Sequence, residues 1–170
     1  GEKQELLDKS IQYLEEKKAL QKQISQVGAV SQEKKEAQAR YNKSYEYITS
    51  FLEAERLNDQ LYIIKFQDKI KIVLPQRSLF PTAGSAWLSP KGMKTVKKIG
   101  LGLKQLSPAS IEIAGHTDSV FAPDAKNSYA NNWHLGLARA MSVLTVFEEV
   151  HVKRESMYIV SYADTKPISD

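Results

Sequence analysis

The chain has no cysteine. Without thiols it needs no redox protection, so every compartment stays open to it, the periplasm included. No run of residues is long or apolar enough to cross a bilayer, and no secretory leader is visible. Histidine is scarce, at three residues, and the serines do not sit in a G-x-S-x-G elbow, so a hydrolytic triad is not supported. Charge of one sign is scarce too. Residues 1–60 hold ten Lys/Arg against eleven Asp/Glu and the remainder fourteen against nine, so −1 and +5 make up the net +4. A mildly basic second part suits contact with an anionic polymer or a membrane surface. Nucleic acid is not an expected partner, because the basic residues are scattered among acids and no nucleic-acid motif is present.

Proline is also missing between Glu2 and Asn58, where Glu, Lys, Gln, Ala and Leu dominate. These are good helix formers. Leu6, Tyr13, Leu20, Val27, Tyr41 and Ile48 recur every seven residues, and Ile24, Tyr45 and Leu52 occupy the complementary seam. That heptad pattern predicts a coiled coil with a second copy of the chain, hence a homodimer. Its middle is poor: Lys34 and Gln38 fall in the seam, and Ser31 to Glu36 is wholly polar. Two readings are open. One is a single long helix; the other is a helical hairpin turning near Gly28 to Ser31, with Ser31 capping the second helix. Gly28 costs a helix interior about 1 kcal/mol relative to alanine, which does not decide between them. The long helix is the expectation. About 55 helical residues would span roughly 80 Å. Residues 1–60 are thus read as a helical arm and 61–170 as a compact domain.

In that domain Leu61–Phe66 and Ile70–Leu74 read as paired strands around an Asp68-Lys69 turn. Ser89 and Pro90 open a helix whose buried stripe is Met93, Val96, Leu103 and Leu106, with Ile99 beside it. Its lysines, Lys91, Lys94, Lys97, Lys98 and Lys104, read as a solvated face. Gly100 and Gly102 allow another backbone to approach closely. Ile111–Ala114 alternates and is rich in β-branched residues, as a half-buried strand does. A polar loop with Pro123, Asp124, Asn127 and Ser128 follows. Asn132 reads as the N-cap of a helix from Trp133 to about Val150, which buries Leu135, Ala138, Met141, Val143 or Leu144, and Phe147. Glu148 and Glu149 oppose the dipole at its end. Met157–Tyr162 is the last strand. The fold class is α+β: a mixed sheet with helices on one face, preceded by a long helix or coiled coil.

The chemistry concentrates after the Ile111 strand. His116-Thr117-Asp118 lies at the strand's C-terminal edge, where open sheets place ligand groups. Arg139 lies two turns into the following helix. Asp118 can accept hydrogen bonds from an ammonium, Arg139 can grip a carboxylate, and a helix N-terminus favours negative charge. The arrangement suits a zwitterionic ligand; a strand-to-helix salt bridge that only staples the fold is an equal alternative. His116, Asp118 and His134 are too loosely spaced to predict a metal site. A glycosidase pair would need Asp124 beside Asp118. The chain is read as a binder rather than an enzyme, with neither cofactor nor metal.

Three segments also carry a resemblance. Gly115-His116-Thr117-Asp118 followed by Asn132-Trp133-His134-Leu135-Gly136-Leu137-Ala138-Arg139-Ala140 resembles the G-[HY]-T-D and N-x-x-L-S-x-x-R-A segments of the OmpA/MotB family of peptidoglycan-binding domains. The long loop and the Asn-Trp pair resemble its MotB-like branch. Leu79-Phe80-Pro81-Thr82-Ala83-Gly84-Ser85-Ala86 is similar to that branch's L-F-x-x-G-S-A turn, and Ser161 to Ile168 to its closing G-Y-G-[DE]-x-x-P segment. The three occur in the family's order across Leu61 to Asp170. Gly136 departs from the usual Ser, and Ser161 and Ala163 from the usual Gly.

The resemblance implies a non-catalytic periplasmic domain that holds the diaminopimelate residue of the peptidoglycan stem peptide. Asp118 then matches the partner of its ammonium, Arg139 the partner of its carboxylate, and Thr117 and Asn132 neighbours lining the same pocket. It further implies an inner-membrane anchor upstream of Gly1 and a motor partner, as in a flagellar-type stator. The alternative is an envelope or secretion-system scaffold tethered to peptidoglycan without a motor.

Overall fold

The computed structural model describes residues 2–118 and 129–166. The chain divides into two compact units, Gly1–Lys43 and Ser44–Asp170. Helix α1 (Glu2–Phe51) is one helix, and the polar Ser31–Glu36 stretch continues it instead of capping a second one. Gly28 sits inside it with nothing within 4 Å of where a Cβ would stand. Strong helix formers on either side outweigh its cost. In the first unit the apolar side chains face solvent: Tyr13, Leu20, Ile24 and Val27 are 66%, 58%, 64% and 70% exposed. The Leu6 side chain lies outside the described residues. Surface pairs one turn apart, Lys9 to Glu5 at 2.8 Å and Gln32 to Glu36 at 3.0 Å, support the helix locally.

In the second unit the same heptad has another use. Ile48 and Leu52 are buried in the unit's own hydrophobic core. Short helix α2 (Glu53–Leu57) follows, then strands β1 (Tyr62–Phe66) and β2 (Lys69–Val73), which pair antiparallel. Phe66 faces Lys69, so the turn is Gln67-Asp68, one residue earlier than its sequence suggested, with Gln67 at φ 54°. Helices α3 (Gln76–Leu79) and α4 (Pro90–Leu106) come next. Ser89 caps α4 as expected, its hydroxyl accepting from the Gly92 N–H at 3.0 Å, with Pro90 in the first turn. Strand β3 (Ile111–His116) pairs in parallel with β4 (Met157–Ala163), and α5 (Asn132–Glu149) lies between them in sequence. The α+β class and the long leading helix stand as read. The described strands form two ladders, one antiparallel and one parallel.

Side chains, rather than a backbone, occupy the space at the two α4 glycines. A Cβ on Gly102 would stand 2.9 Å from Ile48 and from Phe51, and one on Gly100 would meet Val150 and Phe147. Val96 and Ile99 are the buried centre of α4; Met93, Leu103 and Leu106 flank them. On α5, Leu135 and Phe147 are buried as expected, but Met141 is half-exposed, and Arg139, Ala140 and Val146 point inward instead. The acids at its end are paired: Glu148 with Arg154 at 2.8 Å and Glu149 with Lys97 at 3.4 Å.

The rotation of α5 follows from a backbone contact. A Cβ on Gly115 of β3 would overlap the Gly136 carbonyl of α5, and a Cβ on Gly136 would overlap the Ser161 hydroxyl of β4. The α5 and β3 backbones therefore meet with no side chain between them, and the Ser161 hydroxyl alone stands between α5 and β4 at this point. The two departures from the resembled pattern, Gly136 and Ser161, face each other across this contact, with the hydroxyl on the strand. Gly136→Ser alone should lower stability by about 2 kcal/mol through overpacking. Gly136→Ser with Ser161→Gly should recover most of that, as a coupling energy above about 1 kcal/mol in urea unfolding of the four variants. Additive losses would show that the two positions are independent.

Candidate functional site

β3 ends beside a bulge. Gly115 pairs with Ser161, but His116 pairs with Ala163, so Tyr162 is the extra residue of β4. Ala163 adopts φ 49°, the left-handed region in which an alanine costs about 1 kcal/mol, and this accounts for the glycine usual there. The Thr117 N–H donates to the Ala163 carbonyl at 2.9 Å. The bulge thereby fixes the chain just as it leaves the sheet. The His116 ring donates from Nδ1 to the Lys166 carbonyl at 2.8 Å, since that oxygen can only accept, and packs against Tyr162 with centroids 5.3 Å apart.

The helix start is fixed from the other side. Asn131, not Asn132, is the N-cap: its side-chain oxygen accepts from the His134 N–H at 2.9 Å. Two adjacent asparagines offered the same cap, and the one with extended backbone took it. Asn132 is thereby released to donate from Nδ2 to the Asp118 carbonyl at 3.2 Å. The Ala130 N–H donates to His134 Nδ1 at 3.3 Å, and His134 meets the Tyr129 ring edge-on at 5.3 Å. Both histidines thus hold the loop ends in place, and among the described residues no group of three or more His, Asp or Glu converges as metal ligands.

Arg139 is 4% exposed. Its Nε donates to the Ser85 carbonyl at 3.0 Å and its Nη2 to the Ala83 carbonyl at 2.6 Å. Its Nη1 donates to the His116 carbonyl at 3.1 Å and to Gln76 Oε1 at 3.4 Å. The Phe80 ring lies 4.8 Å from the guanidinium carbon. A guanidinium has five N–H groups; among the described residues these bonds use four and leave one on Nη2. Among the described residues no ion pair joins it to Asp118, so the salt-bridge staple is not the arrangement found. The two interact across a distance. Burial pushes the Arg139 pKa below its ordinary value, while the charge of Asp118, and then Tyr129, opposes that shift.

Of the four expected residues, Asn132 is bonded to the Asp118 backbone and Arg139 to the carbonyl of His116, one residue before Thr117. Asp118 is exposed and Arg139 is buried. Thr117 Oγ1 is buried with no hydrogen-bond partner among the described residues. The expected loop residues Pro123, Asp124, Asn127 and Ser128 lie outside the described residues, as do Pro167 and Ile168. Sequence reasoning missed the cage that holds Arg139. Its acceptors at Ala83, Ser85 and His116 are backbone carbonyls, which no residue type announces; the Leu79–Ala86 turn was the available signal.

Comparison with known proteins agrees with this architecture. The fold is similar to a MotB-like protein of Desulfovibrio vulgaris, with TM-score 0.70 at 18% identity over 79% of this chain and 82% of that one. It is similar to the cell wall anchor of the T6SS of Pseudomonas aeruginosa, with TM-score 0.64 at 19% identity over 72% and 83%. It is also similar to the periplasmic domain of Helicobacter pylori MotB, with TM-score 0.60 at 23% identity over 68% and 70%. No curated protein matches the chain. The OmpA family model matches residues 82–170, which is more than half the chain and contains the whole Thr117–Arg139 site, so the chain belongs to the OmpA family.

Proposed function

We propose that this chain is a non-catalytic, peptidoglycan-binding periplasmic domain that anchors a MotB-like inner-membrane assembly to the cell wall. One observation supports the reading: a buried guanidinium with one N–H unspent among the described residues feels the charge of an exposed carboxylate just past the end of β3. A free amino acid terminus, such as that on the side chain of a diaminopimelate stem peptide, offers an ammonium and a carboxylate together. Asp118 takes the ammonium and Arg139 the carboxylate. Thr117 Oγ1 supplies a further polar group, and Asn132 holds Asp118 in place. The fixed cage around Arg139 keeps its N–H aimed without reorganisation on binding.

The fold likeness to MotB-like domains supports the motor (stator) role, with the helical arm as spacer and an upstream membrane anchor. The likeness to the T6SS anchor supports a wall-tethered scaffold of the same chemistry. The sequence preceding Gly1 separates them: a single transmembrane helix carrying an acidic residue belongs to a motor.

The exposed heptad residues of α1 support pairing of two copies along the arm. Sedimentation equilibrium should give a dimer, and Leu20→Glu with Val27→Glu should give a monomer that still binds the wall; a monomeric parent would refute pairing. Arg139→Ala should cost about 3 kcal/mol or more in urea unfolding, because it strands three carbonyls and opens a cavity under Phe80. The binding test therefore uses Asp118→Asn, which leaves that cage intact. With insoluble sacculi the parent should co-sediment and Asp118→Asn should bind at least tenfold more weakly, about 1.4 kcal/mol. Equal binding by the two would remove Asp118 from the site, and a folded parent left in the supernatant would end the wall-binding reading.

A further inference from the structure

A cavity of about 200 Å³ opens at the far end of the β3–β4 ladder from Asp118. Ser107 and Pro108 line it in the segment leading into β3, and His151, Lys153 and Ser156 in the segment leading into β4. The two strands are parallel, so both enter the sheet here, while Asp118 lies past the end where β3 leaves it. The length of β3, Ile111–His116, sets the two places roughly 20 Å apart. Lys104, in the last turn of α4, completes the wall.

The charge on this wall is unmatched. Lys104, His151 and Lys153 are exposed, and among the described residues nothing is ion-paired or hydrogen-bonded to their side chains. No lining residue is acidic; Glu155 is not on the wall, and Glu148 and Glu149 are taken by Arg154 and Lys97. The C-termini of α4 and α5 bring about half a negative charge each. The two ammonium groups alone carry twice that sum. The backbone points the same way. Ser107 closes α4 at φ 45°, and His151 follows the end of α5 at φ 62°. Glycine is the usual residue at such a helix end, because a side chain is disfavoured in the left-handed region. Here both positions carry a hydrogen-bonding side chain on the cavity wall. The Ser156 hydroxyl donates to the Lys153 carbonyl at 2.7 Å and fixes the turn that presents Lys153.

We propose that this cavity binds a phosphate group, either free or as the ester of a lipid headgroup. Two ammonium groups, an imidazole and a hydroxyl spread around a hollow suit a tetrahedral oxyanion. A planar carboxylate is better met by an arginine fork, and no arginine lines the cavity. Pockets for larger small molecules start at about 300 Å³, so this one fits the phosphate and the first atoms of an ester. It shares no residue with Asp118 and Arg139, and the inference stands apart from the wall-binding reading.

The test follows backbone amide shifts of the full chain as inorganic phosphate replaces chloride at constant ionic strength. Ser107, His151 and Lys153 should shift along one saturable curve. Lys104→Gln with Lys153→Gln should weaken binding about 30-fold. Ser107→Gly with His151→Gly gives both helix ends their usual residue. It should raise the midpoint of urea unfolding and yet weaken phosphate binding about tenfold. Co-sedimentation with vesicles of phosphatidylethanolamine and phosphatidylglycerol, reversed by inorganic phosphate, assigns the phosphate to a headgroup. Phosphate binding without attachment to vesicles assigns it to a free phosphate. Shifts that never saturate overturn the proposal, as does a double variant of either kind that binds phosphate as the parent does.

Discussion

A guanidinium taken out of water without a carboxylate on it must be met by carbonyl dipoles, and the second unit is built to do this at Arg139. The acceptors come from the 83–85 turn, from α3 and from the end of β3, while the arginine stands on α5. One side chain therefore fixes four segments relative to each other. Neutral dipoles stabilise the cation without cancelling its charge. The result is a standing positive potential behind the mouth of the site, opposed at the rim by Asp118. Had the two formed a direct ion pair, each would have saturated the other, and a zwitterionic ligand would have had to break it.

Much of the fold was legible because its signals are local. The Ser89-Pro90 helix start, the alternation of Ile111 to Ala114 and the proline-free first helix are written in neighbouring residues. The misses on α5 share a cause. Which of Asn131 and Asn132 caps α5, and whether Met141 or Ala140 faces inward, depend on where α5 touches the sheet. That contact is set by Gly115 and Gly136, residues whose role lies in what they lack. The site was legible as residue types and not as geometry. Asp118 and Arg139 were read together by charge, but the carbonyl cage that takes up the guanidinium is invisible in a sequence.

The departures at Gly136, Ser161 and Ala163 bear on the same point. Each lies where α5, β3 and β4 meet, one layer behind Thr117 and Asp118. The first two face each other across one contact, where the Ser161 hydroxyl fills the space a side chain on residue 136 would need. The third keeps the left-handed conformation that the bulge requires, so Thr117 still finds the Ala163 carbonyl.

The heptad of α1 meets two fates, and the boundary between them is physical. Tyr13, Leu20, Ile24 and Val27 have no buried partner within their own unit. Ile48 and Leu52 continue the same seam but are sealed in the core, with Ile48 and Phe51 against Gly102. A residue buried in its own domain cannot also serve a second chain without opening that core, and removing a large aliphatic side chain from such a core costs about 2–5 kcal/mol. Any pairing between copies along this seam must therefore end before Ile48. The polar stretch around Lys34 and Gln38 narrows it further, so among the described residues Ile11 to Val30 is where the arm has apolar surface to offer.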